Sequence, residues 1–527
     1  MAKRAAIVGA GVGGLTTALR LLRNGWEVDV YEKNMRAGGR LGRIEGGGFK
    51  FDLGPTIVLM PDVFYRLFAD LGRRLEDYLE LRPLEPNYRL HFADGSYLDS
   101  TSNLQRMMQE IERLAPSDLD GFMRYLAWMQ RRYRVARYDF IEEPMLTMKE
   151  LVDLRKLWKL YGLHTVQTMN RDVRRFIKDP RLQTALTFQS LYIGIDPFEA
   201  PAIYNVIGYM ELSYSGVWYC KGGYYSVTEA LVRLLEEMGG RLHLGTPVET
   251  VEVEGGRAVG VRVRGQLQSA DAVVVGADFP LAAKRLVPES ARPDYSDARI
   301  DKMEQSCSAF MMYLGVDQSY RHADVHNVYF SRDFQGFTDD VFRRKVLPND
   351  PSFYVHLPNL IDDSVAPPGK QGIYVLVPVP NKTAPIDWAK EKKPFRDAMI
   401  QRLQRVGFRD LEKHLEFEAI YTPDTWEASL GLAEGAAFGV MPRLRQSAYW
   451  RPSLKSKTVS GLYFVGASTH PGGGVPIVMT GARTIERIMS EDYPGYLPNA
   501  HQTSKDLPTW SDRRHLAHDF AAFTEQG

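Results

Sequence analysis

Four apolar residues, Ala5, Ala6, Ile7 and Val8, lie between the basic pair Lys3-Arg4 and a run of glycines, after which Leu15, Ala18, Leu19 and Leu22 recur at spacings of three and four. The first run predicts a short buried strand and the second a helix with one apolar face. Asn24 and Gly25 end that helix, and residues 27–31 alternate polar and apolar as a second strand closing on Glu32.

From about residue 78 to 219 this strand-and-glycine pattern gives way to long helical segments rich in aromatics and methionine. Phe122, Tyr125, Leu126, Met129 and Tyr133 keep helical spacing and predict a core-facing helix. Leu151, Leu154, Leu157, Trp158 and Tyr161 share one third of a helical wheel, with Arg155, Lys156 and Lys159 on another side; Arg171, Arg174, Arg175, Lys178 and Arg181 extend the basic character. Such a helix suits a membrane interface, and equally a core with a solvated basic face. The first pattern resumes near residue 221. Val227, Leu231, Leu234 and Leu235 predict a helix, residues 241–244 a strand, residues 247–253 and 258–263 a hairpin, and residues 272–275 a short buried strand. The second pattern returns from about 307 to 451. Residues 462–465 then form an apolar run, 466–474 a glycine loop, and Ile477, Met479, Ala482, Ile485 and Ile488 a helix with Pro476 in its first turn. Residues 461–482 carry no Asp, Glu, Lys or Arg and are long enough to span a bilayer, but Pro471, Gly472, Gly473, Gly474 and Pro476 interrupt them. They read as buried strand, loop and helix. The organisation predicted is α/β: a discontinuous Rossmann-like dinucleotide-binding domain from residues 1–75, 221–300 and 455–490, a mixed α+β substrate domain from 76–220 and 301–454, and a polar tail, 491–527.

Gly9, Gly11 and Gly14 between strand and helix fit the dinucleotide fingerprint: a tight turn, close approach to a pyrophosphate, and close helix–strand packing. The helix end offers free amides and a partial positive charge. Glu32 would accept hydrogen bonds from a ribose diol, and the loop Ala37-Gly38-Gly39-Arg40 brings backbone and a guanidinium toward the same ligand. The helix after Pro476 supplies a second positive end. Two such ends suit a flavin dinucleotide, whose reduced ring carries negative charge at its pyrimidine side; a reduced nicotinamide ring is neutral and gains nothing comparable.

Length and charge narrow the picture. The 527 residues exceed one hydrophobic core, and 66 Lys+Arg against 65 Asp+Glu leave no global signature of nucleic-acid binding. Cys220 and Cys307 are isolated, so neither a disulfide framework nor a metal site is expected. Met1-Ala2-Lys3-Arg4 leads straight into the first strand without a signal-peptide pattern, which predicts a cytoplasmic protein.

At five motifs the sequence resembles the bacterial-type phytoene desaturases, the FAD-dependent carotenoid and diapocarotenoid desaturases and related oxygenases, whose fold is of the flavin amine oxidase type. These are Val8-Gly9-Ala10-Gly11-Val12-Gly13-Gly14; Gly38-Gly39-Arg40; Phe51-Asp52-Leu53-Gly54-Pro55-Thr56; Gly216-Val217-Trp218-Tyr219-Cys220-Lys221-Gly222-Gly223; and Gly466-Ala467-Ser468-Thr469-His470-Pro471-Gly472-Gly473-Gly474-Val475-Pro476. Residues 192–216 also look like this branch. Ala467 stands where many flavin amine oxidases have aspartate, as the carotenoid branch commonly does. The resemblance implies FAD contacts at Gly9, Gly11, Gly13, Gly14, Glu32, Lys33, Gly39, Arg40, Gly54, Pro55, Thr56, Val248, Gly466, Val475, Pro476, Ile477 and Val478. It implies desaturation of a long linear isoprenoid by hydride transfer to flavin, and leaves diapocarotenoid oxygenase and carotenoid isomerase or ketolase open. The amphipathic face of Leu151, Leu154, Leu157 and Trp158 with its basic flank predicts peripheral attachment to the inner face of the cell membrane. Relatives of this fold without flavin act as chaperones of prenylated small GTPases; the intact glycine set and Glu32 argue for a retained cofactor. A second dinucleotide fingerprint is absent from the sequence, so electrons would leave for oxygen or a quinone. No catalytic base stands out: His470 is expected to bond the glycine loop with its ring, and Asp196 and Glu211 to cap or pair.

Overall fold

The computed structural model describes residues 2–143, 145–147, 163–165 and 167–495. The amphipathic face of Leu151, Leu154, Leu157, Trp158 and Tyr161, with Arg155, Lys156 and Lys159, lies outside the described residues, as does the tail from 496 onward.

The strand Arg4–Val8 occupies the centre of a five-stranded parallel sheet, in the order Leu462–Phe464, Ala272–Val275, Arg4–Val8, Glu27–Tyr31, Arg241–His243. Its strands are apolar on both faces because both faces are covered. Ile7, Val28, Val30 and Val274 meet the helices Val12–Arg23, Ser226–Glu237 and Val475–Asp492. Ala6, Val8, Val273 and Val275 meet the antiparallel strands Thr250–Glu254 and Arg257–Val263 and the helix Phe279–Leu286. Every strand of this sheet falls within residues 1–75, 221–300 or 455–490.

A second, seven-stranded sheet has the order Leu415–Tyr421, Ser308–Val316, Gln371–Val379, Phe353–His356, His326–Tyr329, Tyr88–His91, Tyr97–Ser100. Its pairings are antiparallel except that of His326–Tyr329 with Tyr88–His91. The reading of residues 78–219 as helical is corrected here, because Leu81–Pro83, Tyr88–His91 and Tyr97–Ser100 are strands. Each has only three or four residues, too few for alternation to stand out from its surroundings. The predicted helix is Leu119–Val135, and it buries Phe122, Tyr125, Leu126, Met129 and Tyr133. Arg132 on the same helix is also buried, paired with Asp172 at 2.6 Å and donating to the carbonyl of Ala202. Part of the basic series is likewise committed to ion pairs, Arg175 with Asp172 and Arg181 with Asp94 and Asp179. Among the described residues no helix is long and apolar enough to cross a membrane, and residues 461–482 form strand, loop and helix.

Candidate functional site

Gly11 caps the helix Val12–Arg23, and no side chain bonds the free amides of its first turn. A Cβ built on Gly11 would come no closer than 4.0 Å to any neighbour, the Gly38 carbonyl, so the space beside this helix end is open to a ligand. At Gly14 a Cβ would lie 2.1 Å from the Gly9 carbonyl, which no rotamer relieves. Gly14 therefore sets the helix against the strand, while Gly11 leaves room. The missing side chain of Gly13 faces Val465 and Val478 at 3.0 Å and serves the packing of the first helix on the last, while its backbone stays in the uncapped first turn. The Glu32 carboxylate accepts from the amides of Ala10 and Asn34, each at 2.9 Å. It thus fastens the glycine turn, and each oxygen keeps a lone pair for a hydroxyl donor. Val248 packs on the cluster containing Val8 and Tyr31, beside the same strand end, and Lys33 is exposed.

Sequence reasoning missed the residue that gathers the glycine loops. Asp278, buried after the strand Ala272–Val275, accepts from Arg40 Nη2 at 2.8 Å and from the Ser468 hydroxyl at 2.7 Å. Arg40 also donates to the Ala437 carbonyl at 3.0 Å. Its guanidinium, expected at a phosphate, is thus directed first to Asp278. The only prior signal was Gly276-Ala277-Asp278 at a strand's carboxyl end. The last helix starts at Gly474 with φ +105°, no side chain caps it, and Pro476 occupies its first turn. A Cβ on Gly472 would meet nothing within 4 Å, and one on Gly466 only the Gly276 carbonyl at 4.0 Å. Val475, Pro476, Ile477 and Val478 thus begin a second helix end beside open space. Arg451, wholly buried, holds this loop by donating to the carbonyls of Ala467 at 2.6 Å and Thr469 at 3.0 Å. His470 does not bond the glycine loop as expected. Its Nε2 donates to the Glu143 carbonyl at 2.8 Å, tying the loop to the segment after the helix Leu119–Val135, and burial pushes the ring down to about 4, so it stays neutral.

The loop through Gly54, Pro55 and Thr56 is held by the seven-stranded sheet. A Cβ on Gly54 would lie 2.5 Å from the Arg40 carbonyl, which packs the loop onto Gly39-Arg40. Three tyrosine hydroxyls fix it: Tyr313 donates to the Leu53 carbonyl at 2.5 Å, Tyr374 to the Gly54 carbonyl at 2.6 Å, and Tyr354 bonds Thr56 Oγ1 at 2.6 Å. Tyr313 opposes Tyr374, Tyr374 opposes His356, and His356 opposes His326, making one row across four adjacent strands. Asp52 accepts from the amides of Tyr224 and Tyr225, and Asp362 from the Gly222 amide and the Tyr219 hydroxyl, so both ends of the Tyr219–Gly223 turn are anchored. Burial pushes the Asp52 carboxyl up to about 6.

Glu211 is fully buried, accepting from the Tyr88 hydroxyl at 2.5 Å and from Gln189 at 3.2 Å. Burial pushes its carboxyl up to about 7. Asp196 accepts from the Phe198 amide, and burial raises it to about 6. Cys220 and Cys307 are buried thiols, and among the described residues no cluster of three or more metal-ligating side chains occurs.

The open glycine-lined surface, two uncapped helix ends and an acid at the second strand fit an extended dinucleotide. Known proteins agree. Residues 12–484 match the family of flavin containing amine oxidoreductases. The chain is 41% identical over 491 residues to a zeta-carotene-forming phytoene desaturase of Myxococcus xanthus, covering 93% of this chain and 94% of that one. It is 38% identical over 495 residues to a 4,4'-diapophytoene desaturase (4,4'-diaponeurosporene-forming) of Staphylococcus haemolyticus, covering 92% and 98%. An oxidoreductase structure from Methanosarcina mazei superposes with a TM-score of 0.61 at 16% identity, covering 92% of this chain and all of that one, which shows a shared fold. The chain belongs to the flavin containing amine oxidoreductase family, as an FAD-dependent oxidoreductase of the branch that holds the phytoene and diapophytoene desaturases.

Proposed function

We propose that this enzyme desaturates a long linear isoprenoid of the phytoene or diapophytoene type in carotenoid biosynthesis. The observation that carries the reading is where the cofactor site adjoins the apolar interior. Ile57, Leu59 and Met60, directly after Thr56, join one cluster with Ile477 of the second helix end and with Phe188, Tyr209, Met210 and Phe330. Flat aromatic and flexible Met side chains accommodate a polyene without polar partners. Bound FAD supplies the hydride acceptor. The chain's own residues hold and orient: the amides after Gly11 and Gly474 meet anionic groups, the Arg40–Asp278 pair keeps the loops in register, and the apolar cluster excludes water. Supplying the purified protein with C30 and C40 precursors and weighing the products tests this. Loss of hydrogen in pairs with a lengthened chromophore is expected; gain of oxygen without lengthening would assign the chain to the oxygenases.

Oxygen or a quinone is the electron acceptor in this reading, supported by the single dinucleotide fingerprint. Peripheral attachment to the inner face of the cell membrane is part of the same proposal, supported by an apolar substrate and by the spacing of Leu151, Leu154, Leu157 and Trp158. Flotation with anionic vesicles should be lost in Leu154→Glu/Trp158→Glu; unchanged flotation would place the anchor elsewhere.

A further inference from the structure

Removing two hydrogens from adjacent carbons leaves one proton for each hydride, and the site is built to exclude the water that would carry it away. The interior around the Gly54-Pro55-Thr56 loop contains one continuous line of polar groups. Tyr354 Oη lies 2.6 Å from Thr56 Oγ1 and 2.6 Å from His326 Nδ1. His326 stacks on His356 with ring centroids 4.6 Å apart and planes 18° from parallel. Both rings are buried, and Nε2 of each is a buried polar atom without a hydrogen-bond partner. Such pairs of atoms are where an ordered water belongs. His356 also lines a narrow, partly open pocket together with Asp52, Tyr219 and Tyr374, and with Arg43 and Lys50.

We infer that Thr56, Tyr354 and His326, with His356 beside them, form the route by which the proton of each desaturation step leaves the flavin site. The inference rests on the desaturase reading. In each step one C–H bond of the substrate gives its hydrogen and electron pair as hydride to FAD. The neighbouring C–H bond leaves its electron pair as the second bond of the new alkene, and its proton passes to Thr56 Oγ1. The threonine's own proton moves to Tyr354 Oη, that of Tyr354 to His326 Nδ1, and that on His326 Nε2 to water on the His356 side. A carbon next to a polyene-delocalised cation is acidic enough that no strong base is required, only a conduit. The environment agrees: burial pushes His326 down to about 3 and His356 well below its ordinary range, so neither stores the proton, while Asp52 at the pocket, up at about 6, can exchange one with solvent near neutrality.

Two variants test it. Tyr354→Phe deletes one hydroxyl; His326→Asn keeps a hydrogen-bonding group near the place of Nδ1 but has no second ring nitrogen to release a proton. Anaerobic protein is mixed with a C40 polyene precursor in H2O and D2O, and FAD affinity is titrated separately. His326→Asn should bind FAD within about threefold of wild type, while Tyr354→Phe, which also releases one hold on the Thr56 loop, should bind it more weakly; at saturating FAD both should lose flavin absorbance about 10²-fold more slowly, with a larger D2O slowing than wild type. A high-resolution crystal structure should show water within hydrogen-bond distance of both Nε2 atoms. Near wild-type bleaching in His326→Asn, slowing without an increased D2O effect, or loss of FAD or of folding in both variants would overturn the route and leave a structural clamp. Wild-type protein that no polyene bleaches would instead overturn the desaturase reading.

Discussion

The two sheets do different work. In the parallel sheet the strands are frame: Ile7, Val28, Val30 and Val274 are apolar and buried, and the candidate cofactor-facing groups and the acid that fastens their loops, Gly11, Glu32 and Asp278, lie at the strands' carboxyl ends. In the seven-stranded sheet the strands themselves carry polar groups inward, with Tyr313, Tyr374, His356 and His326 in one row and Tyr354 beside it. A substitution within a strand should therefore be a stability event in the first sheet and a site event in the second.

The largest expected effect falls on the loops of the first sheet. Gly11→Val fills the open space beside the helix end and should abolish FAD binding, read as loss of the flavin spectrum after purification. Full flavin occupancy would refute the assignment of that space.

Next comes the buried acid of the second region. The folded-state value of Glu211 is raised to about 7, so its contribution to stability is fully present below the ordinary carboxylate range and is lost as pH rises through 7. Glu211→Gln should flatten the fall in stability between about pH 4.5 and 7, a difference of up to about 3 kcal/mol. Identical pH profiles for the two proteins in urea unfolding would show that this carboxyl is not the group responsible.

The smallest pair contrasts the sheets directly. Tyr374→Phe removes a hydroxyl from the Gly54 carbonyl; it should cost about 1 kcal/mol and also weaken FAD binding, because that loop loses one of its three holds. Ile7→Val should cost about 1 kcal/mol and leave FAD affinity unchanged. Equal effects on FAD affinity would erase the distinction.

This division also explains what the sequence made legible. The parallel sheet and the turns and helix ends beside it were readable because their signals are local: Gly9, Gly11 and Gly14 follow a strand, Glu32 follows the next one, and Pro476 opens a helix. Asp278, Arg451 and the tyrosine clamp were not, since each acts on residues more than fifteen positions away, Tyr374 on Gly54 and Arg451 on Thr469 among them. Periodicity marks which face of a strand is buried, but a tyrosine on that face gives no sign that its hydroxyl holds a distant loop. Gly13 adds a second use that spacing did not reveal. Its missing side chain makes room for Val465 and Val478, a contact across more than 450 positions.

The most direct test of the account is an anaerobic titration of the FAD-loaded protein with a C30 or C40 polyene precursor, following flavin absorbance and product mass together. The account predicts that the flavin bleaches, and that one molecule of product lacking two hydrogens appears for each flavin reduced. A flavin that stays oxidised with every isoprenoid offered would contradict it.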